Sequence, residues 1–516
     1  MSRATLVATI RSLSRASEAK NVLGWRLADW LEVRADLMPE PEPMAVRPDF
    51  DGWLLYSLRS RQAGGRDDSS VATRHRRLRG AARVYDLVDL EGDRDLVPDL
   101  LNSIDPERRV ISWYGRIRDE QCLLQLLQTF SRTGARLYRF EVDCSSVEDG
   151  ITPLQFLQSA KRSDVIAYAT GPLGLWTRIL APRLGAPIVF GGLPNEGEDG
   201  AGNGSVAELI QDYGFPEIRP VSEIFAIVGE PVSGSLSPRL HNASHRASGA
   251  GRVYLTFPTR AFDRLWSRLV SSGSLERMGL TIKGMTVASP NKQSALEVSG
   301  RAAPLCCRCQ ASNLLVRANG NWAAHTTDPE GIFDQPILRH VNLSGARAAV
   351  VGCGSSGRVT AAALGEAGAE VTLVNRGSDR GTWAGHLLGL RFVPLTEFTV
   401  RGFALLINAT PVGRDGEELP VDLKNLDSGS LVVDLAYRRK GATPLVTAAQ
   451  ALGHKVIEGR KILLAQTMRQ YGLMTGEQMP ERLARGLLGL SADGNGAMES
   501  VYLDQKNAHL KAEPQC

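Results

Sequence analysis

A glycine-rich turn joins an apolar strand to a helix in the second half of the chain. The predicted strand Arg347–Val351 runs directly into Gly352-Cys-Gly354-Ser355-Ser356-Gly357, and an alanine-rich helical segment follows. Glycines at such a turn let the backbone approach a pyrophosphate, and the helix start offers unpaired N–H groups and the positive end of its dipole. The pattern predicts a dinucleotide site whose cofactor-binding residues are Gly352, Gly354, Ser355, Ser356 and Gly357.

The end of the next strand indicates which dinucleotide binds. The strand Val371–Val374 is followed by Asn375 and Arg376, with Arg380 close behind. A carboxylate at this position would accept a hydrogen bond from a ribose 2′-OH but would repel a 2′-phosphate, whereas guanidinium groups bind phosphate. Asn375, Arg376 and Arg380 therefore predict NADP rather than NAD as the cofactor.

Length and composition predict a multidomain globular protein. At about 150 residues per domain, the 516 residues suggest roughly three units. Hydrophobic residues make up 43% and charged residues 22%, which are ordinary values, and the net charge of +4 is small for this length. Charge therefore predicts neither a nucleic-acid partner nor a membrane surface, and nothing in the sequence indicates an oligomeric state.

The N-terminal residues and the cysteines indicate a cytoplasmic protein without a metal. The N-terminus lacks the apolar core and cleavage site of a signal peptide, and no uninterrupted apolar run approaches ~20 residues. The seven cysteines form neither a disulfide framework nor a set of clusters at zinc-like spacing. We expect ordinary thiols and no metal site.

Alternating strands and helices in the first half predict a parallel barrel. Short β-branched or aromatic runs recur at 6–10, 30–36, 53–59, 83–90, 109–114, 136–142, 165–170 and 187–190. Eight such runs over about 200 residues fit a (β/α)₈ TIM barrel, whose functional groups sit at the C-terminal ends of the strands. We assign residues 1–215 to this barrel, and the polar segment 491–516 to a mobile tail.

Residues 223–490 resemble shikimate dehydrogenase, because seven motifs of that family occur in the family's order. They are Ser235-Leu-Ser237-Pro, Pro290-Asn-Lys292, Ala311-Ser-Asn313, Thr326-Thr-Asp328, Asn408-Ala-Thr410-Pro-Val-Gly413, Asp434-Leu-Ala-Tyr437, and Gly459 with Gln466. The resemblance implies an α/β enzyme of two domains. The substrate-binding domain would cover 223–340 with helices at 460–490, and a Rossmann NADP-binding domain would cover 341–459.

The resemblance also implies a role for each matched residue. Lys292 and Asp328 would be catalytic, since reduction of a ring ketone needs a proton donor beside the developing alkoxide and a carboxylate to orient it. Shikimate or 3-dehydroshikimate would be bound by Ser235, Ser237, Asn313 and Gln466. Thr410 and Gly459 would join the cofactor-binding residues.

Residues 1–215 resemble a type I 3-dehydroquinate dehydratase, an enzyme of the same shikimate pathway that leads to the aromatic amino acids. Glu32-Val-Arg34-Ala-Asp36, Arg59 with its following double glycine, and Thr177-Arg178 match motifs of that family. Glu32, Arg34, Arg59 and Arg178 would line the pocket.

Two positions depart from the dehydratase pattern. The resemblance implies a lysine that forms a Schiff base and a histidine that moves a proton. The histidine position falls on Tyr114 and the lysine position on Arg139. A guanidinium stays protonated and cannot attack a carbonyl. The barrel would then have lost its reaction, unless the alignment of these strands is displaced.

Three hypotheses follow from these comparisons of motifs. In the first, the chain is an NADP-dependent shikimate dehydrogenase with a degenerate dehydratase-like barrel. In the second, it is a working bifunctional fusion of the two enzymes. In the third, it is a regulatory protein that binds NADP and shikimate without turnover, against which the pair Lys292 and Asp328 argues.

Overall fold

The computed structural model describes residues 2–12, 27–38, 46–117, 119–193, 204–439 and 441–490. Its contacts divide the chain into two compact units. The first comprises Met1–Pro238 and Ser248–Ile282, and the second comprises Arg239–Ala247 and Lys283–Cys516. The segment 491–516, predicted to be a mobile tail, lies outside the described residues.

The first unit contains a sheet of eight parallel strands that curves into a near-barrel, which confirms the predicted TIM-barrel class. In chain order the strands are Thr5–Ile10, Trp30–Arg34, Trp53–Ser57, Leu87–Glu91, Arg109–Gly115, Leu137–Val142, Val165–Ala169 and Ile188–Gly192. The first seven each pair in parallel with the next strand in the chain, up to Val165–Ala169, and Ile188–Gly192 pairs in parallel with Thr5–Ile10.

All eight predicted strands are present, and the largest boundary error is at the fourth. That strand was expected to start at residue 83 but starts at Leu87, because the helix Val71–Val84 continues through Arg83. Apolar side chains from several strands pack together in one buried cluster, among them Leu55, Val110 and Ile166. Burying these side chains is the main force that holds the strands in this order.

Helices connect the barrel strands and shield their outer faces. They are Val71–Val84, Pro98–Leu101, Glu120–Ser131, Ile151–Ala160, Gly171–Leu180 and Val206–Tyr213. Several begin at a side chain that satisfies an otherwise unpaired backbone N–H. Ser70 accepts from the backbone N–H of Thr73, and Ser205 forms a reciprocal capping box with Glu208.

The rest of the first unit follows the barrel. Ser2–Arg3 pairs antiparallel with Glu217–Ile218, and Glu223–Gly229 pairs in parallel with Arg252–Pro258. A short helix, Phe262–Leu265, continues into a π-helical turn at Trp266–Ser271. The helix Ser237–Ser248 contributes residues to both units.

The second unit contains a six-stranded parallel sheet with Rossmann strand order, as predicted. From edge to edge its strands are Arg391–Pro394, Glu370–Asn375, Arg347–Val351, Leu405–Asn408, Leu431–Asp434 and Lys455–Ile457. The helices Ser355–Glu366, Ser378–Leu388 and Pro444–Ala451 follow individual strands. The order of the sheet reverses beside Arg347–Val351, which is where doubly wound sheets bind their ligands.

Short elements before and after this sheet complete the second unit. The strand Thr281–Val287, which begins in the first unit, pairs antiparallel with Leu314–Ala318, which in turn pairs antiparallel with Asn321–His325. Arg301–Ala302 pairs in parallel with Asn321–His325. Helices of this region are Lys292–Glu297, Pro304–Cys309, Asp328–Phe333, Gly459–Thr475 and Glu481–Leu487. The last two lie where helices were predicted.

Candidate active sites

Lys292 and Asp328 meet in the second unit. The Lys292 Nζ donates to Asp328 Oδ2 at 2.8 Å, and only 6% of Lys292 and 4% of Asp328 are exposed. Each residue begins a short helix, Lys292–Glu297 and Asp328–Phe333 respectively. A buried ammonium paired with a buried carboxylate is an arrangement that can place a proton donor at one point of a substrate.

Two further side chains hold the second oxygen of the Asp328 carboxylate. Asn313 Nδ2 donates to Oδ1 at 2.7 Å, and Gln466 Nε2 donates to the same atom at 3.0 Å. The four catalytic and substrate-binding residues predicted in this unit, Lys292, Asp328, Asn313 and Gln466, are therefore in one hydrogen-bonded cluster. Donors on both oxygens fix the orientation of the carboxylate.

A second layer of polar side chains supports this cluster, and the sequence analysis missed it. Thr327 donates its backbone N–H to Asn313 Oδ1 at 2.9 Å, and its hydroxyl accepts from Gln470 Nε2 at 3.0 Å. The Thr286 hydroxyl lies 3.4 Å from Gln470 Oε1. Gln470 is one helical turn after Gln466, so this spacing was the available signal.

The glycine-rich turn has the geometry that a dinucleotide needs. Gly352 has a φ of +105°, which disfavours any residue with a side chain. A Cβ at Gly357 would lie 1.8 Å from the Gly352 carbonyl oxygen, so the helix could not start this close to the strand. A Cβ at Gly354 would meet no atom within 4 Å, which leaves open space beside the helix start. These features fit a pyrophosphate at the turn.

The two serines of the turn have different surroundings. Ser355 is the first residue of the helix Ser355–Glu366, where its backbone N–H is one of the groups without an intrahelical acceptor. The hydroxyl of Ser356 accepts a hydrogen bond from Lys292 Nζ at 2.8 Å. The sequence analysis assigned both serines to the cofactor and did not foresee this contact with the lysine.

The residues predicted to select NADP stand at the end of the second Rossmann strand. Asn375 Oδ1 accepts from the Cys353 backbone N–H at 3.2 Å and so joins the strand end to the glycine-rich turn. Arg376 and Arg380 are exposed beside it. Burial lowers the pKa of the Arg358 guanidinium, and the charge of Arg380 lowers it further. Arg358 is therefore close enough to add a third, more buried cation to this group. This cluster of cations fits a phosphate group.

A buried aspartate holds the loop that carries Thr410. Asn408 Nδ2 donates to Asp434 Oδ1 at 2.9 Å, and Asn408 Oδ1 accepts from the Thr410 backbone N–H at 3.0 Å. Burial raises the pKa of Asp434, although hydrogen bonds from Thr443 and Asn408 lower it in part. Gly459 begins the helix that carries Gln466. Thr410 and Gly459 thus both lie on segments that follow Rossmann strands.

Ser235 and Ser237 belong to the first unit. The Ser235 hydroxyl accepts from the Ser237 backbone N–H at 3.2 Å, at the start of the helix Ser237–Ser248. Ser237 is buried. Two hydroxyls at a helix start are suited to a carboxylate.

The barrel brings together the six residues predicted for the dehydratase-like pocket, around a buried arginine. Arg139 Nη1 donates to Glu32 Oε1 at 2.5 Å, and Arg139 Nη2 pairs with Glu141. The Arg139 guanidinium also lies 3.8 Å above the centre of the Phe190 ring. Arg139, Glu32 and Glu141 are each at least nine-tenths buried. Arg139, on which the family's lysine was predicted to fall, is therefore a cation that neutralises two carboxylates.

Tyr114, on which the family's histidine was predicted to fall, lies beside a second arginine. Its hydroxyl donates to Asp89 Oδ2 at 2.7 Å, and the Arg59 guanidinium lies 3.8 Å above its ring. Burial raises the pKa of Tyr114 well above its ordinary value, against the opposing effect of Arg139 and Arg59. A phenol in this state keeps its proton at neutral pH and cannot act as a general base.

The remaining pocket residues extend the same network. Arg59 lies 3.3 Å from Glu141, Arg34 pairs with Asp36 at 2.8 Å, and Arg178 donates to the Phe190 carbonyl at 2.9 Å. The buried acids Asp89, in the middle of its strand, and Glu141, one residue before the end of its strand, were not predicted from the sequence. An acidic residue inside an otherwise apolar strand was the available signal.

The charges of the arginines control the ionisation of the buried acids. Burial raises the pKa of Glu32, but the charges of Arg139 and Arg59 outweigh it and bring that pKa to about 2. The same balance between burial and Arg139 lowers the pKa of Glu141. Both glutamates are therefore ionised at neutral pH and bound to arginine, so neither is a ready proton donor.

Lysine is nearly absent from the barrel. Residues 1–215 contain only Lys20 and Lys161. Lys161 ends the helix Ile151–Ala160 and is exposed, ahead of the strand Val165–Ala169 and thus away from the C-terminal strand ends. Lys20 lies outside the described residues. Within the described part of the barrel, no amine stands where a Schiff base would form.

Membrane spans and metal sites were also sought in the described residues. No helix there is long and apolar enough to cross a bilayer. No group of three or more His, Cys, Asp or Glu side chains there has the arrangement of a metal site. The cytoplasmic location expected from the sequence stays a prediction.

Two family models match the chain. Type I 3-dehydroquinase matches residues 7–219, and the shikimate dehydrogenase substrate binding domain matches residues 227–315. These matched ranges do not test the predicted domain limits, which stay predictions.

Individual relatives agree with the two family models. The chain is 24% identical over 488 residues to the chloroplastic bifunctional 3-dehydroquinate dehydratase/shikimate dehydrogenase of Arabidopsis thaliana, covering 88% of this chain and 79% of that one. It is 33% identical over 276 residues to the shikimate dehydrogenase (NADP(+)) of Methanothrix thermoacetophila, covering 52% and 98% respectively.

A solved structure is also similar to the chain. The shikimate 5-dehydrogenase of Thermus thermophilus, crystallised with NADP(H) and shikimate, is 30% identical with a TM-score of 0.45, covering 51% of this chain and 98% of that one. The sequence matches, together with the Lys292 and Asp328 pair and the glycine-rich turn, show that this chain belongs to the shikimate dehydrogenase family and carries a type I 3-dehydroquinase domain ahead of the dehydrogenase.

Proposed function

We propose that the chain is an NADP-dependent shikimate dehydrogenase that reversibly reduces 3-dehydroshikimate to shikimate, and that its dehydroquinase-like barrel does not catalyse dehydration. The observation that carries the first part is the buried contact of 2.8 Å between Lys292 Nζ and Asp328 Oδ2. The domain limits that go with this function are 1–215, 223–340 with 460–490, and 341–459.

The chemistry assigned to Lys292 follows from its charge and position. Reduction of a ketone leaves negative charge on the oxygen, and an ammonium beside that oxygen stabilises it and supplies the proton. In the reverse direction the same amine takes the proton from the substrate hydroxyl. Asp328 keeps the ammonium oriented, because Asn313 and Gln466 hold the carboxylate from its other side.

The cofactor would be held by the glycine-rich turn and by the cations beside it. NADP supplies the hydride acceptor or donor when it is bound. Gly352, Gly354, Ser355 and Gly357 would border the pyrophosphate at the start of the helix Ser355–Glu366. Arg376 and Arg380 would bind the 2′-phosphate, with Asn375 joining them to the turn.

Each unit holds polar residues of a kind that binds groups present on shikimate. Ser235 and Ser237 are suited to the carboxylate of shikimate, because hydroxyl and backbone N–H donors meet at their helix start. Gln466 is suited to a ring hydroxyl, because its bond to Asp328 uses only one of its amide N–H groups. Asn313, proposed for a second ring hydroxyl, would have to exchange a bond to Thr327 for one to substrate, because its amide is engaged with Thr327 and Asp328.

A spectrophotometric assay tests the dehydrogenase proposal. The purified chain is mixed with shikimate and NADP⁺, and absorbance of reduced nicotinamide is followed, with Lys292→Ala as the inactive control. Formation of NADPH by the wild-type chain alone supports the proposal. A folded sample that binds NADP without any turnover would instead support a regulatory binding protein.

The proposal for the barrel rests on its buried ion network. A Schiff base requires a neutral amine that can attack a ketone, and Arg139 provides a guanidinium that is already paired with Glu32 and Glu141. Burial lowers the pKa of the Arg139 guanidinium, but these two carboxylates outweigh that effect and raise it well above its ordinary value. Tyr114 keeps its proton and so cannot replace the histidine as a base.

Borohydride trapping tests the loss of dehydration. The chain is incubated with 3-dehydroquinate, reduced with borohydride, digested, and analysed by mass spectrometry. We expect no adduct on Lys20 or Lys161, whereas a type I dehydratase treated in parallel is labelled. An adduct on either lysine would overturn this part of the proposal and support the bifunctional alternative.

A further inference from the structure

The Lys292 amine has a second partner that the reaction alone does not require. Its Nζ donates to Asp328 Oδ2 and also to Ser356 Oγ, each at 2.8 Å. An ammonium carries three N–H groups. Two of them are therefore directed by protein side chains that lie 36 and 64 residues from Lys292 along the chain.

Ser356 belongs to the dinucleotide turn and not to the segment that carries the lysine. It is the second residue of the helix Ser355–Glu366, whose start borders the open space beside Gly354. Lys292 begins a separate helix, Lys292–Glu297. The hydrogen bond thus connects the candidate proton donor to the segment that faces the cofactor.

The Asp328 carboxylate does not depend on Ser356. Asn313 and Gln466 hold its Oδ1 atom independently. The Lys292 side chain is different, because four flexible methylene groups separate its amine from the backbone. With Asp328 alone, the ammonium can rotate about one contact; with Asp328 and Ser356 together, its position is set from two directions.

We propose that Ser356 is a positioning residue of the dehydrogenase, whose hydroxyl holds the Lys292 ammonium in line with the cofactor turn. This inference rests on the proposed function of Lys292 as proton donor. A serine hydroxyl both accepts and donates. Ser356 therefore accepts from the ammonium and retains its own hydrogen for a second acceptor beside the turn.

The proposal predicts a change in kcat rather than in cofactor binding. Ser356→Ala removes one acceptor of a charged donor, and hydrogen bonds to charged groups have effects that correspond to about a tenfold or larger change in rate. We expect kcat for shikimate oxidation to fall about tenfold, while KM for NADP⁺ changes less than about twofold. Ser356→Thr keeps the hydroxyl and should recover most of the loss.

A matched control distinguishes this effect from the effect of removing any serine hydroxyl. Ser344→Ala removes an exposed hydroxyl before the N-terminal end of the strand Arg347–Val351, whereas the glycine-rich turn follows the C-terminal end of that strand. This variant should have wild-type kcat and KM. Thermal unfolding of all variants is measured in parallel, so that a reduced rate is compared only among folded proteins.

A second measurement does not require catalysis. In protein labelled with ¹⁵N-lysine and free of cofactor, the Lys292 ammonium signal is assigned by its absence in Lys292→Met. We expect Ser356→Ala to shift this signal, and Ser356→Thr and Ser344→Ala to leave it near its wild-type position. An inactive wild-type chain would contradict the proposed function, while an unchanged Lys292 signal in Ser356→Ala would overturn the positioning role by itself.

Three kinetic outcomes would also overturn the positioning role. The first is wild-type kcat in Ser356→Ala with a raised KM for NADP⁺, which would assign the hydroxyl to the cofactor. The second is wild-type values of both constants in that variant. The third is an equal loss of kcat in Ser356→Ala and Ser356→Thr, which would indicate a steric and not a hydrogen-bonding role.

Discussion

Arg139 and Glu32 form a buried ion pair inside the barrel, with Nη1 and Oε1 2.5 Å apart, although 107 positions separate them in the chain. Two strands, Trp30–Arg34 and Leu137–Val142, present these side chains to each other. Glu32 also accepts from the Thr9 hydroxyl at 2.7 Å, and Glu141 accepts from the Tyr168 hydroxyl at 2.7 Å. The carboxylates thus have partners within the protein in addition to Arg139.

Replacement of Arg139 by an apolar residue should destabilise the barrel. Arg139→Met would leave Glu32 and Glu141 without their shared cation, and removal of one partner from a buried ion pair costs roughly 3–5 kcal/mol. We expect the free energy of unfolding, measured with urea and circular dichroism, to fall by about that amount.

The control for this prediction is a nearby surface arginine. Arg136 precedes the same strand, its side chain is 37% exposed, and it lies 3.4 Å from the exposed Glu107. Arg136→Met should cost about 1 kcal/mol or less. If Arg139→Met and Arg136→Met had equal stabilities, the buried network would not be holding the barrel together.

Acid should weaken the contribution of Glu32 to stability. The pKa of Glu32 is about 2, below its ordinary value of 4.5, because the arginine charges outweigh the effect of burial. A group whose pKa is lower in the folded state stabilises the fold fully above the unfolded-state pKa. This contribution should decline as the pH falls from about 4.5 and should be lost as the pH passes through about 2.

A comparison with Glu32→Gln isolates this effect. The difference in unfolding free energy between wild type and Glu32→Gln should be largest near neutral pH and should shrink steadily between pH values of about 4.5 and 2. Glu107→Gln, which alters a carboxylate that is 77% exposed, should differ little from wild type across the series. A wild-type advantage over Glu32→Gln that does not change with pH would contradict the assignment.

Removal of the Lys292 amine should abolish turnover without abolishing cofactor binding. General acid–base groups contribute about 10²–10⁴-fold to rate, so we expect Lys292→Ala to lower kcat by at least about two orders of magnitude. NADP affinity, measured by fluorescence titration, should stay near the wild-type value, because the glycine-rich turn and its arginines are unchanged. Equal losses in rate and affinity would indicate a structural role for the lysine.

The arginines at the end of the second Rossmann strand should determine cofactor choice. Arg376→Ala together with Arg380→Ala should raise KM for NADP⁺ by about 100-fold or more, since each charge-assisted contact to a phosphate contributes at least about 1.5 kcal/mol. KM for NAD⁺, which lacks the 2′-phosphate, should change little.

A distant arginine provides the control for cofactor choice. Arg401 is exposed, ahead of the strand Leu405–Asn408 and therefore away from the C-terminal strand ends. Arg401→Ala should leave the ratio of the two KM values unchanged. An equal rise of KM for both cofactors in the double variant would show that Arg376 and Arg380 do not recognise the extra phosphate.

The barrel strands and the two Rossmann strands nearest the glycine-rich turn were predictable because their burial is visible in the composition. The other four Rossmann strands were not predicted individually. Arg347–Val351 was predicted without error, and the barrel strands were found within a few residues. Parallel strands are buried on both faces and appear as short runs of β-branched residues between polar connections. The one larger boundary error lies at the strand that starts at Leu87. Arg83 and Val84, the last two residues of the preceding helix, were assigned to that strand.

Candidate residues were predictable where they form a local motif, but most of their partners were not. The glycine-rich turn is a local arrangement of backbone, so its spacing alone indicates it. The contact between Gln466 and Asp328 joins positions 138 residues apart, and Glu141 and Tyr168 belong to neighbouring barrel strands. No short sequence motif includes both members of such a pair.

The sequence by itself predicted the alternating elements of the barrel and the dinucleotide turn, and it placed Arg139 and Tyr114 where the dehydratase resemblance implies a lysine and a histidine. These properties depend on local backbone geometry and on the chemistry of single side chains. Only the tertiary structure decided that Arg139 is neutralised by two glutamates and that Lys292 is shared between Asp328 and Ser356. Hydrogen bonds and ion pairs act over a few ångströms of space, and folding brings together groups that the chain keeps far apart.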